Sequence, residues 1–178
     1  MKWSEIKPSF LFLLRFLAFY LIANFLYGWW VTSYEPGPDP VTVSATHQST
    51  FILRVMGLDV SNITHHKKAA ERILLEERPV LSVHEGCNGL NIWIIFAGFI
   101  FAFSGLSKRG GIFILAGTVI IHVANLCRII FLFFISLKYP DALYFFHKYF
   151  FTAALYLVVF VMWYYWITYY GKPSEKSS

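Results

Sequence analysis

The sequence predicts an all-α, polytopic membrane helical bundle with about four transmembrane helices. Apolar residues make up 57% of the 178-residue chain and charged residues only 14%, whereas soluble domains are about a quarter charged. A helix needs about 20 apolar residues to cross a hydrocarbon core of about 30 Å. Four stretches of 19, 22, 18 and 23 residues contain no charged side chain: 16–34, 86–107, 110–127 and 149–171. This composition excludes a soluble enzyme, a disordered chain and a small disulfide-stapled domain.

The first predicted transmembrane helix covers residues 9–31. Lys2 and Lys7 precede it, as basic residues precede the apolar core of a secretory signal. A signal core has only about 7–15 residues and is followed by a small-residue cleavage site, and neither property is found here. We therefore expect a retained helix. Its end carries aromatic residues of the kind that lie at membrane–water interfaces: Tyr27, Trp29, Trp30 and Tyr34.

The largest segment outside the predicted transmembrane helices is 32–86. It opens with Pro36, Pro38 and Pro40, which predict a stiff spacer without regular structure. Apolar residues then recur at helical spacing over 51–58, which predicts a short amphipathic helix lying on the membrane. Residues 66–78 are more charged and predict a second helix, which would end before Pro79.

Three further transmembrane helices are predicted, over 88–107, 110–137 and 149–170. Lys108 to Gly111 would form a tight turn between the first two of them. The 110–137 stretch would span about 42 Å as a straight helix, so it must tilt, break or project beyond the bilayer. We treat residues 1–178 as a single membrane-embedded domain.

The basic residues predict that both chain termini lie inside the cell, because short cytoplasmic flanks are enriched in Lys and Arg. The 32–86 segment is then extracytoplasmic, and its five basic residues against seven acidic ones give no positive excess. The net charge of +5 follows from this bias in the flanks, and no basic run interleaved with aromatics predicts nucleic-acid binding. The basic residues placed inside are Lys2, Lys7, Lys108, Arg109, Lys172 and Lys176.

Polar side chains within the predicted helices are the candidates for function, because ionisable groups are costly in a membrane and usually face the bundle interior. His122, Asn125 and Arg128 fall within an arc of about 120° on the third helix and form one polar stripe. Arg128 lies about 27 Å beyond the cytoplasmic turn, near the outer interface. Cys87 opens the second helix and His147 opens the fourth, both at the same outer level.

Cys87, Arg128 and His147 together predict thiol catalysis. The thiolate is the nucleophile, and both a helix N-terminus and a neighbouring cation favour the thiolate form. His147 can take the thiol proton and later give one to a leaving amine, while Arg128 can stabilise a thiolate or an oxyanion. The glycines beside Cys87 would let a substrate backbone approach closely. We expect no cofactor and no metal ion.

Each of these residues also has a structural interpretation. Cys87 can be a small buried hydrophobe, Arg128 can extend its side chain to the interface, and His147 can be an interfacial loop residue. His84, three residues before Cys87, competes for the role of base. The remaining candidates are interpreted as packing, interhelical hydrogen-bonding or solvated groups: Cys127, His122, Asn125, His47, His65 and His66.

Three sequence elements stand out: Glu85-Gly86-Cys87-Asn88-Gly89-Leu90, Asn125-Leu126-Cys127-Arg128-Ile129, and an isolated His147 before the last helix. Together they resemble the exosortase/archaeosortase family. The short chain looks most like the compact exosortase F type of Bacteroidota, and the resemblance covers residues 80–170. It implies a cysteine transpeptidase or protease of the bacterial inner membrane, with its active site at the periplasmic face and with Cys87, Arg128 and His147 as catalytic residues.

The resemblance also implies the partners of the protein. The substrates would be membrane-anchored proteins with a C-terminal sorting signal, made of a short motif, a transmembrane helix and a basic tail. Cleavage would form a thioacyl intermediate, and an acceptor nucleophile that the sequence does not identify would take over the protein. The lipid bilayer is a further predicted partner, and nucleic acid is not.

Two other functions stay open from the residues alone. One is a thiol–disulfide membrane carrier that uses Cys87 and Cys127, although Cys127 points about 160° away from the polar stripe on a helical wheel. The other is a non-catalytic scaffold for envelope assembly. A Cys87→Ser substitution separates catalysis from a scaffold, which should tolerate it.

Overall fold

The computed structural model describes residues 3–65, 68–105 and 107–170. Three strands, β1 (Val60–His65), β2 (Ala70–Leu75) and β3 (Arg78–His84), separate two groups of helices. The helices are α1 (Trp3–Thr32), α2 (Pro40–Val55), α3 (Leu90–Ser104), α4 (Lys108–Lys138), the short α5 (Leu143–Phe145) and α6 (Phe151–Tyr170). The basic flank residues Lys2, Lys172 and Lys176 and the segment residues His66 and Lys67 lie outside the described residues.

The protein is a helical membrane bundle, as predicted. Three helical stretches in the described residues are long and apolar enough to cross a membrane: Lys7–Thr32, Lys108–Lys138 and Pro140–Tyr170. The fourth apolar helix, α3, has 15 residues and is about 22 Å long, which is shorter than the predicted 88–107. It is short because Gly89 and Gly105, with φ values of 84° and 60°, lie at its two ends.

Adjacent helices of the bundle run in opposite directions. Phe12, early in α1, packs on Phe103 near the end of α3, with ring centroids 6.3 Å apart. Phe113, early in α4, packs on Tyr170 at the end of α6, with centroids 6.2 Å apart. The residues predicted as a tight turn, Lys108 to Gly111, are instead the first helical turn of α4 and follow the end of α3. This α3–α4 turn, the start of α1 and the end of α6 therefore lie at one end of the bundle. Which side of a membrane this end faces stays a prediction.

α4 is a single unbroken helix of 31 residues, so its extra length is used to project towards the sheet. Leu132 and Phe133, near its C-terminal end, share a hydrophobic core with Leu81 of β3. The Ser136 hydroxyl donates a hydrogen bond to the Val80 carbonyl over 2.7 Å. The last turns of α4 therefore carry the small sheet at the end of the bundle that lies away from the α3–α4 turn.

The helix predicted over 66–78 is wrong, because this segment contains β2 and the start of β3. The three strands form an antiparallel sheet in the order β1-β2-β3. Glu76 and Glu77 connect β2 to β3 and both have positive φ, 48° and 67°, as a type I′ hairpin turn requires. The sequence lacks the Asn-Gly or Asp-Gly pair that marks such turns, and its Glu and Arg content is typical of helices.

α2 confirms a helix at 51–55 but begins much earlier, at Pro40. Proline is tolerated there because the first helical position has no intrahelical partner for an N–H group. Asp39 caps the helix, and its Oδ1 accepts hydrogen bonds from the Val41 and Thr42 amides over 2.9 and 3.0 Å. The outer face of the helix carries exposed apolar side chains, whose contact with a membrane stays a prediction: Phe51, Val55 and the C-capping Met56.

Candidate active site

Cys87 lies in a single 3₁₀ turn, Glu85–Cys87, between β3 and α3. It does not open α3 as predicted, because the N-cap of that helix is Gly89. Its side chain is buried and packs in the core between the sheet and α4. The position and surroundings of the Cys87 sulfur therefore depend on the groups that pack against this turn, and not on a helix N-terminus.

Asn125 of α4 fixes the position of this turn. Its Nδ2 donates a hydrogen bond to the Cys87 carbonyl over 2.9 Å, and Asn125 is fully buried. A Cβ at Gly89 would lie 3.4 Å from the Asn125 Cγ, and the positive φ of Gly89 disfavours any side chain there. Gly89 thus allows the close contact between the turn and α4, and the approach of a substrate backbone stays a prediction.

The structure brings Cys87, Arg128 and His147 together from three separate parts of the chain. The Cys87 Sγ lies 3.0 Å from the His147 Nε2. The Arg128 Nη2 lies 4.0 Å from the same sulfur and 3.4 Å from the His147 Nε2. Because a guanidinium can only donate, the His147 Nε2 is the acceptor in this contact. The 3.0 Å contact with the Cys87 sulfur then places the same lone pair of a neutral imidazole within reach of the thiol proton.

Arg128 is buried at the site, with 6% of its surface exposed. Its Nε has no hydrogen-bond partner, and within the described residues its guanidinium pairs with no carboxylate. A buried, unpaired cation is costly in a protein interior, so its side chain is held there by packing. Its positive charge can therefore stabilise a thiolate at Cys87 or a negative charge that develops on a neighbouring group.

His147 lies in a π-helical turn, Phe146–Phe150, which separates α5 from α6. Such turns are rare and occur frequently at functional sites, because they change the direction in which a side chain projects. The Thr152 hydroxyl donates to the His147 carbonyl over 3.3 Å. The π-helical turn ends where α6 begins, at Phe151, and it directs His147 towards the Cys87 turn.

Most of the chain matches a known protein family. A family model of transmembrane exosortases matches residues 5–165, a span that includes all three site residues. The chain belongs to the transmembrane exosortase family. No curated protein and no solved structure matches it. The family assignment made from the sequence is therefore confirmed, while the F type stays a prediction.

A second hydrogen-bond network supports the Cys87 turn of this exosortase and was missed in the sequence. The Asn88 Nδ2 donates to the Tyr27 hydroxyl over 3.1 Å and to the Asp39 Oδ2 over 3.3 Å. The Asn88 Oδ1 accepts the Leu90 amide over 3.0 Å. Asp39 is fully buried, so it joins the start of α2 to the turn. An Asp directly before Pro40 is a helix-cap signal, but its contact with Asn88 is not visible in sequence.

The charges on the two sides of the turn differ in sign. Burial raises the pKa of the Glu85 carboxyl, and the carboxylates of Asp39 and Glu35 raise it further. These acidic groups belong to the side of α1 and α2, whereas Arg128 and His147 come from α4 and the turn before α6. The field at the sulfur of the exosortase is therefore asymmetric.

Among the described residues, no histidine other than His147 hydrogen-bonds the Cys87 sulfur. His84, the competing base, is exposed at the end of β3. His122 confirms its interpretation as an interhelical group, because its Nε2 lies 2.8 Å from the Gln48 Oε1 of α2. His47 is exposed but not simply solvated, since its Nε2 lies 3.2 Å from a carboxylate oxygen of the buried Glu71.

The two cysteines of the exosortase have different environments. Cys87 is buried. Cys127 is exposed, so its interpretation as a buried packing residue is wrong; both are free thiols. Cys127 lies with Ala124 and Phe131 on the face of α4 that packs towards α6. No observation in the described residues favours a disulfide between them. In the same residues, no three His, Cys, Asp or Glu side chains are arranged to hold a metal ion.

Proposed function

We propose that this exosortase is a membrane cysteine transpeptidase or protease that cleaves the C-terminal sorting signal of exported, membrane-anchored proteins. The observation that carries the proposal is the 3.0 Å contact between the Cys87 sulfur and the His147 Nε2, beside the buried guanidinium of Arg128. A nucleophile within hydrogen-bonding distance of a base, with a cation at the same point, is the arrangement needed for acyl transfer.

The first half of the reaction is acylation of Cys87. The His147 Nε2 takes the thiol proton as the sulfur attacks the carbonyl carbon of the scissile peptide bond. The carbonyl oxygen becomes an oxyanion, and the Arg128 guanidinium stabilises its negative charge. The C–N bond then breaks, His147 returns the proton to the leaving amine, and the protein remains attached to Cys87 as a thioester.

The second half releases the protein from Cys87. An acceptor nucleophile gives its proton to His147, attacks the thioester carbonyl and passes through a second oxyanion at Arg128. The C–S bond breaks, and the thiolate recovers the proton from the imidazolium. With an amine acceptor the result is transpeptidation, and with water it is hydrolysis. The same three side chains serve both outcomes.

The position of the site supports a substrate that is itself held in the membrane. Cys87, Arg128 and His147 lie towards the end of the bundle that carries the sheet, at the termini or C-terminal part of apolar helices. With the orientation that the basic flanks predict, this end faces the periplasm. A cleavage site just outside a substrate's transmembrane helix would then lie at the same depth relative to the membrane as the Cys87 sulfur.

The test is a comparison of the two cysteines in the native host. We expect Cys87→Ala to abolish processing of membrane-anchored precursors, whereas Cys127→Ala retains most of it, because only Cys87 contacts His147 and Arg128. Mass spectrometry of the wild-type protein trapped at short times should find a peptide attached through a thioester to Cys87. Equal loss in both variants would point to a redox pair, and full processing by Cys87→Ala would point to a scaffold.

A further inference from the structure

A groove lies between α1 and α3, at the opposite end of the bundle from Cys87. Its volume is about 680 Å³, which is in the range of pockets that bind small molecules. Its wall on α3 is formed by Phe99, Ala102 and Phe103. Phe12 of α1 closes the inner side, with its ring edge-on to that of Phe99 at 5.4 Å between centroids. Most of the lining is therefore apolar.

The other wall carries two cations on one ridge of α1. Lys7, Leu11 and Arg15 all line the groove, and they are spaced four residues apart along the helix, so they follow one side of it. Lys7 and Arg15 are about 12 Å apart along the helix axis. An apolar side chain, Leu11, lies between them. The groove thus has a charged edge and an apolar interior.

Neither cation is neutralised by the described part of the protein. Lys7 and Arg15 are exposed, and no carboxylate whose side chain the structure describes forms a salt bridge with either. Both lie in Lys7–Thr32, a stretch apolar enough to cross a membrane. An unpaired cation in such a helix is costly unless it reaches the interface or meets an anion.

The level of the groove matches that of a lipid headgroup. Phe12 contacts Phe99 and Phe103 in the last two turns of α3, so Arg15 lies about one helical turn inside this level and Lys7 about one and a half turns outside it. The two cations therefore flank the depth at which the apolar helix α3 ends. A phosphate at this depth can contact one or both of them.

We propose that the groove between α1 and α3 binds one anionic phospholipid. Its phosphate would lie between Lys7 and Arg15, and an acyl chain would fill the apolar interior against Phe99 and Phe103. A free phosphate ion would leave that apolar wall exposed, whereas an amphiphile with a negative head matches both parts of the groove. Basic pockets between transmembrane helices are typical sites for anionic headgroups.

The experiment uses the full chain purified in detergent and reconstituted into nanodiscs. Native mass spectrometry counts retained phospholipid after titration with phosphatidylglycerol or phosphatidylcholine. A basic residue near an anionic lipid surface contributes about fivefold in affinity, so we expect Lys7→Gln with Arg15→Gln to weaken phosphatidylglycerol binding about 30-fold. Phosphatidylcholine binding should change little.

The matched control is Lys108→Gln with Arg109→Gln. These two cations lie at the same end of the bundle, at the start of α4, but do not line the groove. These substitutions remove the same net charge as the α1 double variant. Because they leave the groove intact, we expect phosphatidylglycerol binding to fall less than about threefold. Ser9→Trp is a second variant, because Ser9 is exposed and lines the groove. It should displace the lipid without any change of charge.

Three results would overturn the proposal. One is an equal loss of phosphatidylglycerol in the α1 and α4 double variants, which would indicate only general attraction to the surface. Another is that Ser9→Trp and the α1 double variant, measured as separate proteins, both retain as much lipid as the wild type. The third is competition by millimolar inorganic phosphate as effective as that by the lipid, which would indicate an ion site. Stronger loss in the α1 variants, without such competition, supports a lipid site.

Discussion

Among single residues, the proposed chemistry depends most on a guanidinium that is buried rather than extended to the interface. Arg128 is 6% exposed and contacts both the Cys87 sulfur and the His147 Nε2. A lysine reaches a similar depth and carries one charge, but it lacks the planar fork of donors. The role of Arg128 can therefore be tested by a substitution that keeps its charge.

We predict that Arg128→Lys accumulates normally in the membrane but processes substrate at least about 100-fold more slowly, because removing one preorganised oxyanion donor typically costs about 100- to 1,000-fold in rate. Alkylation of Cys87 near neutral pH should also slow, since a displaced cation stabilises the thiolate less. Precursor processing and iodoacetamide labelling measure the two effects. Wild-type processing by the lysine variant would remove Arg128 from the catalytic set.

At the scale of elements, the start of α2 is tied to the Cys87 turn through Asp39. Asp39→Ala removes the cap of α2 and the carboxylate that accepts the Asn88 hydrogen bond. We expect a loss of about 1–2 kcal/mol in the free energy of unfolding, measured by thermal or denaturant unfolding in detergent. The rate of Cys87 alkylation should change as well, because the turn is released on one side.

The control for Asp39→Ala is Ser107→Ala, which removes the cap of α4. The Ser107 hydroxyl oxygen accepts the Gly110 amide over 3.0 Å and has no contact with the Cys87 turn. It should lower stability by about 0.5–2 kcal/mol and leave alkylation of Cys87 unchanged. If both variants altered alkylation equally, the link from Asp39 to the turn would be disproved.

The packing of α3 on α4 depends on Gly117. A Cβ there would lie 2.2 Å from the Cζ of Phe96, which is fully buried, so the ring must move. We predict that Gly117→Ala destabilises the protein by about 1–3 kcal/mol. Gly111→Ala, also in α4, meets no atom within 4 Å and should instead stabilise the helix by up to about 1 kcal/mol. Similar effects of the two substitutions on unfolding would contradict this packing.

At the scale of the whole molecule, the antiparallel bundle places the start of α1, the α3–α4 turn and the end of α6 together. The basic flanks predict that this end is cytoplasmic. In a background that lacks both native cysteines (Cys87→Ala with Cys127→Ala), an impermeant maleimide should label Ser44→Cys and Glu77→Cys in intact cells, because both positions are exposed on the 32–86 segment. Arg109→Cys should label only after permeabilisation. External labelling of position 109 would reverse the orientation and move the proposed active site to the cytoplasm.

Local sequence patterns are enough to predict the apolar helices, the polar stripe on α4 and the three residues that converge. The length of a charge-free stretch and the 3.6-residue period are properties of neighbouring residues, so they can be read without a fold. The stripe from His122 to Arg128 does face α2 and the Cys87 turn. Sequence motifs also identified the family that the comparison confirms.

The tertiary structure alone decided how the site is held. The type I′ turn at Glu76 and Glu77 exists because the sheet packs on α2 and α4, and this packing overrides the helical preference of a Glu-rich segment. The Asp39–Asn88 hydrogen bond joins residues 49 positions apart, and the π-helical turn that aims His147 leaves no mark in the local pattern. Each of these features depends on packing between segments that are far apart in the chain, so local sequence patterns cannot predict it.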